Sequence, residues 1–277
     1  MATLETAAPP RMMDGARVSW LRVLRSEWTK FRTIRSSYVI LAIAVIMFVG
    51  LAVIIAYSVG SLFAEGQGPE MEITVPVEAL DAVLGGLLLA QLAIGVFGVT
   101  VGTNEYSTGM IRATLAAVPR RWPVITAKAV LVFLITMAVM IPAGFAAFLL
   151  GQTIVAQYGL SVSLSQDGVV RALFGTGLYL GAVAVLGLAI GMIIRSAAGG
   201  IAILIGVLIL LPVVLPLIQF DWIDDIHPYL PSEAGQLVYQ IVPRSEVLGP
   251  WSGYAVMIGY CVVLIGIAAY LLKRRDA

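Results

Sequence analysis

"YVILAIAVIMFVGLAVIIAYSV", Tyr38 to Val59, runs for about six helical turns without one charged side chain. The hydrocarbon core of a bilayer is crossed by about 20 apolar residues in a helix, so this stretch reads as a membrane span. Five more predominantly apolar runs of similar length follow: Ala82 to Val101, Val124 to Leu150, Ala172 to Ile194, Ser196 to Phe220 and Trp251 to Leu272. The whole composition agrees. With 60% hydrophobic and 12% charged residues and a mean hydropathy of +0.98, the chain has too little polar surface to cover a soluble domain. The expected fold is an all-α polytopic membrane protein with six transmembrane helices.

Outside the spans lie an N-terminal arm and short connections, leaving no stretch for a second soluble domain. Residues 1–17, rich in Ala and Pro with mixed charge, are expected to be a disordered tail. Residues 18–36 are expected to form an amphipathic interfacial helix, and 37–277 the six-helix transmembrane domain. The first apolar run begins only at Tyr38, has full membrane length and lacks a small-residue cleavage site, so it is read as an uncleaved span. Cys261 is the sole cysteine, which excludes an intrachain disulfide.

Basic loops stay in the cytoplasm. Arg11, Arg17, Arg22, Arg25, Lys30, Arg32 and Arg35 precede the first span. Arg112, Arg120, Arg121 and Lys128 are assigned to the connection between the second and third, Arg195 to that between the fourth and fifth, and Lys273, Arg274 and Arg275 follow the sixth. Only Arg171 and Arg244 fall on the other side, amid an acidic set that includes Glu65, Glu78, Asp81, Asp167 and Asp224. Both termini are therefore expected in the cytoplasm, and the protein in the plasma (inner) membrane.

The arm "VSWLRVLRSEWTKFRTIR", residues 18 to 35, has helical periodicity. At 100° per residue Trp20, Leu21, Leu24, Trp28, Phe31 and Ile34 share an arc, while Arg22, Arg25, Lys30 and Arg32 fill the rest. The tryptophans suit the headgroup depth and the cations suit anionic membrane lipids. Glu27 is the exception: it projects toward the apolar arc and is expected to pair with Lys30 or with a partner subunit. The plainer alternative is a basic arm that only sets topology.

Several function classes are disfavoured. Spans three to six carry no Asp, Glu, Lys or His in their interiors, and span two offers only Gln91, which argues against proton coupling at the bilayer centre. No Gly-x-x-x-x-Gly-Lys-Ser/Thr occurs, so the chain has no Walker A loop of its own. His227 is the only histidine, in "DWIDDIHPYLP", which excludes a multi-His metal site; Asp221, Asp224 and Asp225 lack a regular ligand spacing and read as a solvated loop. No metal site, catalytic residue or nucleic-acid partner is expected. The pairs Gly98 and Gly102, Gly177 and Gly181, and Gly187 and Gly191 signal close helix packing. Pro142, Pro212 and Pro216 are expected to kink or break spans three and five.

Between spans two and three lies "GTNEYSTGMIRATLAAVPRRWP", residues 102 to 123. Asn104 is a candidate helix cap, and Glu105 would then sit in the first turn, where a carboxylate suits the positive helix end. A polar helix serving as a handle and a plain connecting loop both remain open at this point.

The stretch "NEYSTGMIRATLAAVPRRWPVITAK", together with "LRSEWTKFRTIRSSY" ahead of the first span, resembles the membrane subunits of ABC-2 type transporters, the small actinobacterial permeases in particular. That resemblance implies a coupling helix at about 104–116, in which Glu105, Tyr106, Ser107, Thr108, Gly109, Met110, Ile111 and Arg112 dock into a separate ATPase. Within the interfacial helix, Trp20, Leu24, Glu27, Trp28, Lys30 and Phe31 would lie near it, with Glu27, Trp28 and Lys30 as secondary contacts. It also implies short re-entrant helices within 221–250, with Trp222, His227, Pro228 and Tyr229 as a candidate outer gate. The chain would hold no cofactor: ATP and Mg belong to two copies of the partner ATPase, and a second permease, identical or related, would complete the path. The expected function is a permease for an ATP-driven exporter of hydrophobic drug-, antibiotic- or lipid-like cargo. A non-transporting scaffold regulated by an ATPase, or an ion channel, are the alternatives.

Overall fold

A computed structural model describes residues 19–64, 81, 84–111, 114, 122–160, 162–218, 220–242 and 247–274. Among these there is no strand. Helix α1 covers Trp20–Thr33, with the Ser19 side chain accepting from the Arg22 amide at its start. Ile34 breaks the helix with an extended backbone, and α2 (Arg35–Ala64) begins at once. The other long helices are α3 (Leu87–Ser107), α4 (Trp122–Val155), α5 (Val169–Ile194) and α10 (Pro250–Arg274). Between α5 and α10 the chain runs through α6 (Ala197–Ile205), a π-helical turn, α7 (Leu211–Val214), α8 (Asp221–Ile226) and α9 (Pro231–Gln236).

Among the described residues six helical stretches are long and apolar enough to cross a membrane: Arg35–Leu62, Leu87–Ser107, Trp122–Tyr158, Val169–Ile194, Ala197–Leu217 and Pro250–Arg274. The chain is a multi-pass membrane protein. An even number of crossings returns the end of α10 to the face from which α2 starts; that face, which carries α1, is the proximal face and the opposite one the distal face.

The helices are not equivalent. In α5, 83% of the apolar window is buried against protein, whereas the first, fifth and sixth spans bury 28%, 22% and 33%. Helix α5 is therefore the central post and the others present faces to lipid. Its glycines explain how. Gly187 and Gly191 back onto the carbonyls of Gly95 and Val99 in α3, and Gly98 and Gly102 of α3 back onto those of Ala184 and Leu188. A methyl group at Gly102 would lie 2.5 Å from Leu188 O, so the two backbones meet with no room for a side chain. In lipid, where helix pairing depends on close van der Waals contact, such small-residue seams bring two helices together. Gly98→Ala is expected to push α3 from α5 and destabilise the fold by about 2 kcal/mol; unchanged thermal unfolding in detergent would refute a rigid seam. Gly177 and Gly181 instead receive the side chains of Ile141 and Phe133 from α4. Gln91 has a plain structural partner, since the buried Tyr179 hydroxyl donates to its Oε1.

The prolines act unequally. Of the kink or break expected at Pro142, the break does not occur, and helix α4 runs on through it; in a membrane the neighbouring helices and local adjustments tolerate one missing bond, whereas an irregular, lipid-exposed backbone costs far more. The fifth span does break. Pro212 offers no N–H to the Leu208 carbonyl and its ring crowds that turn, and the Leu211 amide reaches back five residues to Gly206 O, closing the π turn Gly206–Leu210. Pro216 likewise leaves the Pro212 carbonyl without a helical donor. His227 Nε2 fills that place at 3.2 Å, and because a carbonyl only accepts, Nε2 carries the proton.

At the distal face the chain turns back in short pieces, as its prolines suggest: α8, a 3-10 turn over His227–Tyr229, and α9. Arg171 and Asp81 fasten the segment after α9. The Arg171 guanidinium donates to the carbonyls of Leu237 (3.3 Å), Val238 (2.8 Å) and Gln240 (2.9 Å). The Asp81 carboxylate accepts from the amides of Ile241 (2.8 Å) and Val242 (3.1 Å). Arg171, one of the two cations on the acidic side, thus has a structural duty, and 237–242 is gripped from both ends. The suggested gate residues lie outside this grip. Trp222 is exposed and stacks on Phe220, Pro228 is half-buried, and the Tyr229 carbonyl accepts from Tyr260 Oη at 3.2 Å.

Candidate functional site

On α1, Val23 and Glu27 lie one turn apart and are its two buried residues. Val23, with Leu24 beside it, packs on Val124 and Ala127 of α4. Trp20 adds an Nε1 bond to Thr126 Oγ1 at 3.1 Å, and Trp28 stacks on Phe31, which meets Tyr38 and Phe97. The exposed arc keeps Trp20, Leu21 and Trp28. Helix α1 therefore rests on the protein with the face that carries Glu27 and leaves its tryptophan-bearing side outward.

Glu27 is held by two lysines. Lys30 Nζ donates to Glu27 Oε1 at 2.8 Å, and Lys128 Nζ to Glu27 Oε2 at 2.6 Å. Both also donate to Glu105 Oε1, at 2.7 and 3.0 Å. Two carboxylates and two ammonium groups thus form a neutral square that ties α1 to the end of α3 and the start of α4. Glu27, Glu105 and Lys128 are each below 10% exposed. Burial alone would lower the Lys30 pKa, but its hydrogen bonds to Glu105 and Glu27 and their charges outweigh this and raise it above the ordinary 10.5. Charges so placed are tolerated because each has an opposite partner; removing one leaves an uncompensated buried charge.

The pairing of Glu27 with Lys30 is the one expected from the arm's periodicity. Lys128 is a correction: it belongs not to the connection but to α4, two turns in, and it is a core member of the square. The signal was present, since a lone lysine flanked by apolar residues of the third span needs a buried partner.

Asn104 is also corrected. It caps no helix start, because α3 runs on to Ser107 and places Glu105 in its last turn. A carboxylate is disfavoured at that negative end, and the two lysines compensate. Asn104 contributes its carbonyl, which accepts from the Thr108 amide (3.2 Å) and from the hydroxyls of Ser107 (3.0 Å) and Thr108 (2.8 Å). Gly109 follows with φ +70, the left-handed turn that glycine adopts at helix ends, and the chain is helical again at Met110 and Ile111. The stretch thus divides by burial. Ser107, Thr108, Gly109 and Met110 are exposed, Met110 to 50%. Ile111 is buried among Ile125, Leu188, Met192 and Leu272, and Tyr106 lies under the Arg195 guanidinium at 5.0 Å. Arg112 and the rest of 104–116, except Thr114, lie outside the described residues, as does the 1–17 tail. Arg195 itself caps α5 with φ 59, and its contact with Tyr106 is one that sequence spacing does not reveal.

Among the described residues, six membrane-length helices are thus joined by an N-terminal helix locked to the bundle and an exposed turn after the second span. A family profile described as ABC-2 family transporter protein matches residues 23–277. The chain belongs to the ABC-2 family of transporter proteins: it is a multi-pass permease, and that membership implies association with ABC ATPase partners. No curated protein is a match to the chain.

Proposed function

We propose that the chain is the permease subunit of an ATP-driven exporter, and that the exposed turn Ser107–Met110 is where it meets the ATPase. The observation that carries this reading is the charge square: it braces, at one point, the interfacial helix and the two spans that the turn joins. A docking element transmits movement only if it is stiffly connected to the spans. Here Glu105 and Ile111 are the roots of the element and Ser107, Thr108, Gly109 and Met110 its contact face; the family resemblance implies the same role for Arg112.

In this reading the proximal face is cytoplasmic, the chain resides in the plasma membrane, and two ATPase copies close on each other with ATP and Mg bound. A second permease, identical or related, completes the path, and the cargo is hydrophobic, drug-, antibiotic- or lipid-like. Closure of the ATPases would swing α3 and α4 with α1 as one body.

The test separates contact from brace. Glu105→Arg would disturb both, because Glu105 is buried in the square. Met110→Asp alters the exposed turn and leaves the four charged groups of the square in place. Its expected result is a loss of co-purifying ATPase of about tenfold, equivalent to 1.4 kcal/mol, with membrane insertion and thermal stability retained. ATPase recovery equal to the parent chain would refute the docking assignment. Nucleotide-driven flux in vesicles containing both subunits then tests export.

A further inference from the structure

Next to the charge square is a cavity of ≈ 400 Å³, enclosed by the end of α1, the start of α2, the proximal halves of α3 and α4 and the first residue of α6. That volume lies in the range of small-molecule pockets. One wall is apolar, with Phe31, Leu131 and Ile135. The other carries polar groups, among them five hydroxyls whose protons are already committed: Thr33 donates to Lys30 O, Thr100 to Phe97 O, Thr103 to Val99 O, and Ser107 and Thr108 to Asn104 O. What these five hydroxyls offer the cavity is lone pairs.

The square adds to that bias. Lys30 spends its three N–H groups on Glu27, Glu105 and Thr114, and Lys128 spends two of three on Glu27 and Glu105. Both lysines converge on Glu105 Oε1, whereas Oε2 is buried with no hydrogen-bond partner among the described residues. Glu105 lines the cavity and is 7% exposed. A buried carboxylate oxygen without a donor is costly, and a ligand's donor would relieve that cost.

We infer that this cavity binds an amphiphile whose head group donates hydrogen bonds, a primary ammonium or a hydroxyl, and whose apolar body lies along Phe31, Leu131 and Ile135. A head consisting only of an ionised phosphate or carboxylate has no proton for Glu105 Oε2, so a donating head is preferred over it. Two sources share this chemistry: a lipid of the adjoining leaflet held as a structural component, or cargo entering the permease. The inference does not depend on ATPase docking, since the cavity exists in the chain alone.

The experiment uses the full chain in nanodiscs and a diazirine-bearing long-chain primary amine as probe. Cross-links are expected on 100–104 and 131–135, competed by an unlabelled long-chain amine or alcohol and not by an alkyl phosphate of equal length. Thr100→Phe, which fills the cavity without touching the square, is expected to lower labelling about tenfold; Ile135→Trp serves the same end should Thr100→Phe fold poorly. Labelling scattered over the apolar surface, equal competition by alkyl phosphate, or labelling untouched by both variants would overturn the proposal. In the complex with the ATPase, labelling that falls during ATP turnover supports the site as a cargo site, and labelling that stays constant supports it as a lipid site. Because the binding measurement needs no ATPase, its failure and a failure of the Met110→Asp test are distinguishable.

Discussion

Lys128→Met should destabilise the protein by about 3–5 kcal/mol, the cost of breaking a buried ion pair and stranding its partner. The substituted side chain is of similar length and apolar, so packing is nearly conserved, and the loss comes from the charge left behind: Glu27 and Glu105 would share Lys30 alone. The double variant Glu105→Gln/Lys128→Met restores neutrality, leaving the Glu27–Lys30 pair at 2.8 Å intact. It is expected to recover most of the loss, because replacing both members of a buried pair is far cheaper than removing one. Unfolding of the three proteins in the same detergent gives the comparison. Additive losses, with the double variant worse than either single one, would show that the four groups do not act as a unit. The pH dependence carries a defined sign. Because the Lys30 pKa is raised in the folded protein, its contribution is fully present below the ordinary value of 10.5 and is lost only as pH rises through the higher folded value. The brace is therefore expected to be insensitive to pH changes around neutrality.

Arg171→Met is expected to loosen the distal face and leave the square untouched. The guanidinium bonds three carbonyls of one four-residue stretch, Leu237 to Gln240, and hydrogen bonds to charged groups contribute about 1.5–3 kcal/mol each when well shielded. Arg171 is only half-buried, so a total near ~3 kcal/mol is the appropriate scale. Local opening of 237–242 should then be favoured by about 100-fold, since 1.4 kcal/mol is a factor of ten. Amide hydrogen exchange of that segment reads this directly. Asp81→Asn should have a smaller effect on the same amides, since one side-chain oxygen remains to accept. Exchange unchanged by Arg171→Met would mean that 237–242 is held by Asp81 and by packing, where Gly175 backs onto the Val238 carbonyl. If the distal segment must move for cargo to leave, Arg171 and Asp81 are the contacts to be broken.

The four groups of the square show how far one-dimensional reading reaches. Glu27 and Lys30 are three residues apart, so helical periodicity alone pairs them. Lys128 lies 101 residues from Glu27, and Glu105 lies 75 residues from Lys30, and no periodicity spans those distances. A lone lysine in an apolar run nevertheless states that a partner exists, because a bilayer does not leave such a charge unmatched. Asn104 shows the opposite case. Its residue type suits a helix start, and whether a helix starts or ends there depends on how far the preceding span continues, which apolarity alone does not reveal through the polar turn Thr103 to Ser107.

Six spans, the helical form of the arm and the family were determined by sequence alone, because burial of apolar length in a bilayer and backbone satisfaction within each helix are local properties. The breaks in the fifth span were written in Pro212 and Pro216 for the same reason. Tertiary structure alone decided that α5 is the central post, that Glu105 faces inward while Met110 faces out, and that Arg171 and Asp81 clasp the distal segment. These depend on which helix meets which across tens to hundreds of residues, and only the packed backbone, through its glycine seams and paired charges, brings those groups within bonding distance.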